Sequence, residues 1–164
     1  LDMARILSMN ETYIKTMDEK DLFKQLKEYV AKYKKPFDSS KNAILTKSIV
    51  FLKNKAKTLE DIFNNAQYII NEDIKIGDED KKLLDEQSKI IVKDFISEFE
   101  KLSSTNKENI ELIIKNLIDR YKTNFKGVGQ PLRIGLVGSR FGPGLYDVIM
   151  SLEKSQVIKR LSKI

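Results

Sequence analysis

The sequence predicts an all-α fold, a helical bundle, on three observations. Apolar residues recur at three- and four-residue steps along most of the 164-residue chain. Residues suited to capping a helix N-terminus precede the clearest of these runs. No helix-strand alternation is present to build a parallel sheet.

The chain opens on an amphipathic pattern, Leu1, Met3, Ala4, Ile6 and Leu7, without an initiator methionine, which reads as a piece of something longer. Asp2 and Arg5 interrupt any signal-peptide-like stretch, so a cytoplasmic location is expected. Leu22, Phe23, Leu26, Tyr29, Val30 and Tyr33 follow Asp18 and predict a helix over about 18–34. Pro36, Asp38, Ser39 and Ser40 place a connection over 34–41, and Ile44, Leu45, Ile49 and Leu52 predict a helix over about 41–56. Thr58 and Asp61 have capping-box spacing ahead of Leu59, Ile62, Phe63 and Ala66. After Gly77 and Asp78, apolar residues from Leu83 to Phe99 predict the longest helix, to about 103. Thr105 and Glu108 form the capping box expected to open the next, with Ile110, Ile113, Ile114 and Leu117 on its face.

Six of the seven glycines and two of the three prolines fall within 127–144. Pro131 and Pro143 are placed in first turns, giving helices over about 131–137 and 143–152 separated by a tight glycine turn, then a last helix from Ser155.

Composition narrows function. A 41% apolar content is ample for a core, and no apolar run approaches the roughly 20 residues that cross a bilayer. With no cysteine and no histidine, thiol chemistry is excluded, and the usual general base and the commonest zinc ligand are missing. No catalytic or metal-binding residue is assigned. The net charge of +6 suits a polyanionic partner, and it is unevenly spread: 13 basic and 7 acidic residues over 1–57, 11 and 15 over 58–126, 6 and 2 over 127–164.

The glycine-rich segment admits several readings. A phosphate-binding loop is opposed by the absence of a Gly-Lys-Ser/Thr ending and of G-x-G-x-x-G spacing. Alternatively, glycine lets helix ends approach a ligand backbone closely while Arg133 and Arg140 offer planar forks to base edges or phosphates. The plainer reading has both arginines merely solvating a surface. Phe141 and Tyr146 flank this surface, and each is read as a core filler in preference to a base platform. Lys53, Lys55 and Lys57 alternate and cannot share one helical face, so at least one faces solvent.

Gln130-Pro131-Leu132-Arg133-Ile134-Gly135-Leu136-Val137-Gly138, then Gly142-Pro143-Gly144-Leu145 and the closing Val157-Ile158-Lys159-Arg160-Leu161, resemble the C-terminal end of bacterial glutamyl-tRNA synthetases. Met9-Asn10-Glu11-Thr12-Tyr13-Ile14 and Lys57-Thr58-Leu59-Glu60-Asp61 resemble earlier stretches of the same family, so the resemblance spans essentially the whole chain.

The resemblance implies an α-helix cage that holds the tRNA anticodon loop. Residues 1–35 would finish a stem-contact region, 36–126 form a first anticodon-binding subdomain and 127–164 a second. ATP, magnesium and glutamate would be handled by an upstream domain whose HIGH-like and KMSKS-like motifs this chain lacks. Carried over by position, the base-contacting arginine falls on Arg133 and a contacting leucine on Leu145. A second base-reading arginine falls on Lys55, which keeps charge but loses the bidentate fork. A third lands on Asp119, with Arg120 beside it. Arg140 and Lys57 complete the candidate RNA-contacting set. The expected partner is the tRNA for glutamate, with the tRNA for glutamine a second possibility and a monomer the expected state. A helical protein-interaction module with no RNA role is the alternative.

Overall fold

A computed structural model describes residues 11–164, with only the backbone described at Glu11 and Lys55. The expectations for Leu1–Leu7 and for Met9 and Asn10 lie outside the described residues. Every regular element among the described residues is helical. The chain divides into two compact units between Glu72 and Asp73.

In the first unit, α1 (Glu11–Thr16) and α2 (Glu19–Tyr33) are followed by α3 (Asn42–Leu52), α4 (Leu59–Asn65) and α5 (Gln67–Ile70). Asp18 caps α2 by accepting the Lys20 N–H at 3.2 Å, and the face expected from sequence is buried through Leu22, Leu26, Tyr29 and Val30. That face packs on α3 and α4, whose Leu45, Ile49, Leu59 and Ile62 are fully buried. The capping box of α4 is complete: Thr58 Oγ1 accepts the Asp61 N–H at 3.1 Å, and Asp61 Oδ2 accepts the Thr58 N–H at 3.2 Å.

In the second unit, α6 (Asp78–Lys81) precedes α7 (Glu86–Glu100), α8 (Lys107–Tyr121), α9 (Phe125–Val137), α10 (Leu145–Ser151) and α11 (Lys154–Leu161). α9 packs against α7, α8, α10 and α11, so it is the centre of this unit. The rings of Phe95 and Phe99 stack 5.4 Å apart in the core, each fully buried and worth roughly 1.5–3 kcal/mol. Arg160 on α11 is also buried, because its Nη1 donates to the Leu136 carbonyl at 2.9 Å and satisfies the C-terminal end of α9.

Three local expectations need correction. α9 begins at Phe125, not at Pro131. Asn124 caps it by accepting the Gly127 N–H at 2.9 Å, and Pro131 lies in mid-helix. Glycine tolerance comes from packing: a Cβ on Gly135 would lie 2.9 Å from Leu161 Cδ2 of α11, so the missing side chain lets two helices approach. The cap of α8 is Asn106, accepting the Asn109 N–H at 2.8 Å, one residue beyond the expected Thr105. α7 is shorter than expected, since Asp85 accepts the Ser88 N–H at 2.8 Å and fixes the start at Glu86.

Candidate nucleic-acid interface

The glycine-rich segment builds a charged cluster from three places in the second unit. α9 ends at Gly138, whose φ of +86° is open to glycine and strained for other residues. The turn also passes close to the chain ahead of α6, where a Cβ on Gly138 would sit 2.6 Å from the Lys75 carbonyl oxygen. This close approach holds α6 against the loop 138–144. Asp80 of α6 then accepts the backbone N–H of Arg140 at 3.3 Å and lies 3.4 Å from its Nη1. Arg133, on the last turns of α9, donates from Nη1 to the carbonyl of Arg140 at 3.2 Å.

The result is a chain of contacts, Asp80 to Arg140 to Arg133, that fixes the loop by its own main chain. Asp80 and Arg140 are 16% and 32% exposed, so their pairing is only partly screened. Among the described residues no carboxylate pairs with Arg133, and its buried Nε has no hydrogen-bond partner. Its charge is therefore uncompensated within the cluster. The two arginines, seven positions apart, are linked through the Arg140 main-chain carbonyl.

The other candidates sit differently. Leu145 is 2% exposed and packs where α10 meets Gly129 of α9, so its side chain supports the loop and offers no surface to a base. Arg120 is 3.2 Å from Asp94 and 4.0 Å from Glu98, and the Tyr121 hydroxyl donates to the same Asp94, which pushes that phenol above its ordinary pKa. Two carboxylates thus neutralise Arg120. Lys57 is exposed at the start of α4, with its backbone N–H donated to Asp61 at 2.9 Å. Lys55 ends the 3-10 turn Lys53–Lys55, and its side chain lies outside the described residues.

Lys53 is the inward member of the alternating lysines. It is 8% exposed, and its Nζ donates to Glu19 at 3.3 Å and to the Met17 carbonyl at 3.4 Å. Glu19 is held below the usual carboxylate range first by its own backbone N–H and then by Lys53.

Two residues depart from the sequence reading. Phe141, expected in the core, is 69% exposed, whereas Tyr146 is half-buried with its ring 6.0 Å from that of Phe125. Asp80 was not singled out at all. It stands in the acidic run Asp78-Glu79-Asp80, sixty positions from its partner, and nothing local marks it as the loop's anchor.

No group of three or more Asp, Glu, His or Cys among the described residues could hold a metal ion, and no described helix is long and apolar enough to cross a membrane.

The sequence is 53% identical over 161 residues to the glutamate–tRNA ligase of Pelagibacter ubique, covering 98% of this chain and 34% of that protein. It is 29% identical to the glutamate–tRNA ligase of Wigglesworthia glossinidia brevipalpis, again over 98% of this chain and 34% of the relative. The chain therefore spans about a third of the length of these relatives. The fold is similar to part of the crystal structure of a glutamate tRNA ligase from Elizabethkingia meningosepticum, with a TM-score of 0.75, 22% identity, and coverage of 94% of this chain and 30% of that one. Residues 21–164 match the anticodon binding domain family, and the chain belongs to that family.

Proposed function

We propose that this chain is the anticodon-recognising part of a glutamate–tRNA ligase, an enzyme that joins glutamate to its tRNA with ATP. The observation that carries the reading is the state of Arg133: a guanidinium with no carboxylate partner among the described residues, oriented by the Arg140 carbonyl, in a segment with six basic and two acidic residues. Anticodon loops present unstacked bases whose edges accept such a fork, and lysine contacts to phosphate position the RNA without specifying it. Arg133 reads base edges, Arg140 shapes the loop and adds charge, and Leu145 packs against Gly129 of the helix that carries Arg133. Lys55 and Lys57 are the first unit's own contribution to RNA contact.

By this division of labour residues 1–35 complete a stem-contact region, while 36–126 and 127–164 carry anticodon contacts. It is a division by RNA contact, not by compactness. Glutamate activation with ATP and magnesium belongs to a part of the enzyme outside these residues, and the setting is the cytoplasm. Arg120 stands lowest among the contacts because Asp94 and Glu98 already satisfy it.

The test is retention of tRNAs differing only in the anticodon. The glutamate anticodon should bind tightest, and a glutamine anticodon should come nearest to it because lysine replaces the second reading arginine at 55. Equal retention of every anticodon defeats the proposal.

A further inference from the structure

We infer that Phe141 is a stacking platform for one unpaired base of the bound RNA; the inference rests on the anticodon reading above and assigns a second kind of contact to the same loop. At 69% exposure it is the most exposed large apolar side chain among the described residues. A solitary exposed apolar residue is ordinary, and exposure alone assigns nothing. What sets Phe141 apart is the way its surroundings hold the ring outward.

Its backbone N–H is donated to Ser139 Oγ at 3.1 Å, which closes a tight turn. Gly142 follows with a φ of +134°, a backbone conformation that favours glycine. The Arg140 guanidinium lies 4.9 Å from the ring centroid, within cation–π range. That guanidinium is itself held by Asp80, which also takes the Arg140 backbone N–H. The ring is thus backed by a charge that cannot easily swing aside, and most of its surface remains in water.

A base platform needs these properties: an accessible π-face, low conformational freedom and positive charge nearby to attract the adjoining phosphates. The link to Arg133 adds a geometric reason. Arg133 donates to the carbonyl of Arg140, which belongs to the same peptide group as the Phe141 nitrogen. The base-edge reader is therefore bonded to the peptide that leads into the platform, which ties both to one loop. The surplus of four basic side chains over 127–164, six basic against two acidic, favours a polyanion over a protein partner at this ring.

The experiment uses stem-loop RNAs carrying the glutamate anticodon with the fluorescent base 2-aminopurine at one loop position at a time, titrated with the full chain. Stacking on Phe141 should change the fluorescence strongly at one position. F141A should abolish that change and weaken binding about 5- to 150-fold, the usual cost of one lost base stack. F141W should restore both, while F141L should restore neither, since leucine keeps apolar area but has no π-face. An F141A protein that binds as tightly as the parent with the same fluorescence change overturns the platform, and equal rescue by leucine does so too. If R133A loses anticodon preference in the same series, the anticodon reading survives that failure. If the unsubstituted chain binds no stem-loop at all, the anticodon reading itself falls and the platform with it. Because Phe141 packs against little, thermal unfolding of F141A should match the parent.

Discussion

Arg133 donates a hydrogen bond from Nη1 to the main-chain carbonyl of Arg140 at 3.2 Å, so the helix that carries one arginine is tied to the loop that carries the other. The bond uses one of five guanidinium N–H groups, and the buried Nε has no partner. Arg133 is only partly exposed, so a base reaches the remaining Nη N–H groups and not the buried Nε. R133A should therefore reduce the preference for a glutamate anticodon over a base-substituted one by about 1–3 kcal/mol. R133K should keep much of the salt-sensitive affinity but lose the same preference, because an ammonium cannot form the bidentate fork. Fluorescence anisotropy with paired stem-loops separates the two effects.

Asp80 accepts the Arg140 backbone N–H at 3.3 Å and forms an ion pair with its guanidinium at 3.4 Å, and its side chain is largely buried in doing so. Removing it leaves a half-buried guanidinium and an unpaired N–H. D80A should destabilise the second unit by about 1–3 kcal/mol, the usual cost of leaving a buried polar group without its partner. It should also weaken RNA binding, since the loop loses its anchor. D80N should recover part of the stability, because an amide oxygen still accepts one N–H. Urea unfolding alongside RNA titration measures both.

The contrast between these two residues marks how much of the site was legible in sequence. Arg133 and Arg140 stood out because they lie seven apart in the one stretch where glycine concentrates. Asp80 did not, because a partner sixty positions away leaves no periodic trace. The same distinction runs through the fold. Local signals were reliable where side chain and backbone bond within one turn, as at Asp18 and at Thr58 with Asp61. They failed over 125–130, where the glycines ahead of Pro131 read as a connection and Pro131 as a helix start. Tertiary packing accounts for the glycines: Gly129 lies against Phe125 and Leu145, and Gly135 against Leu161 of α11. Phe141 was misread for a related reason: the core preference of phenylalanine is an average, and its exposed position depends on a turn that composition does not specify.

Gly138 combines a left-handed backbone with a crowded surrounding, so any side chain there meets two penalties. At φ +86° an alanine is strained by about 1–2 kcal/mol. Its Cβ would also lie 2.6 Å from the Lys75 carbonyl oxygen, which is backbone and cannot swing aside. G138A should therefore lower the thermal midpoint of the second unit and displace the Arg140 loop, reducing RNA affinity as D80A does. G142A supplies the comparison: its φ is +134°, but the nearest atom to a Cβ is 4.0 Å away, so it carries the backbone strain without the collision. A smaller loss for G142A than for G138A separates the two penalties.

Acid should weaken the cap of α7 in a defined direction. Asp85 is held below the ordinary carboxylate value of 3.8 chiefly by the Ser88 backbone N–H, with the Ser88 side chain second. A folded pKa below the unfolded one contributes stability that is present above the unfolded value and lost as pH falls through the folded value. The window therefore lies below about pH 4. D85N keeps an oxygen that can accept the Ser88 N–H but cannot titrate, so its thermal midpoint should fall less steeply than the parent's on acidification from about pH 5 to about pH 3. Equal slopes would remove Asp85 from the acid response.

Salt should change RNA binding where pH near neutrality does not. The chain has no histidine and no cysteine, so no side chain with an ordinary pKa titrates between about pH 5 and 8. Affinity for the stem-loop should be nearly flat across that interval. Ionic strength is different, because each phosphate neutralised by lysine or arginine releases counterions, giving a slope of about −0.7 per contact on single-stranded RNA. Lys57, exposed at the start of α4, should contribute one such contact: K57A should lower affinity alike for all anticodons and make the slope shallower by about that amount. R133A should change anticodon preference as well as slope. A module that bound a protein through apolar faces would respond little to salt and would not discriminate among anticodons, so titration of the unsubstituted chain at several salt concentrations decides between the two classes of partner.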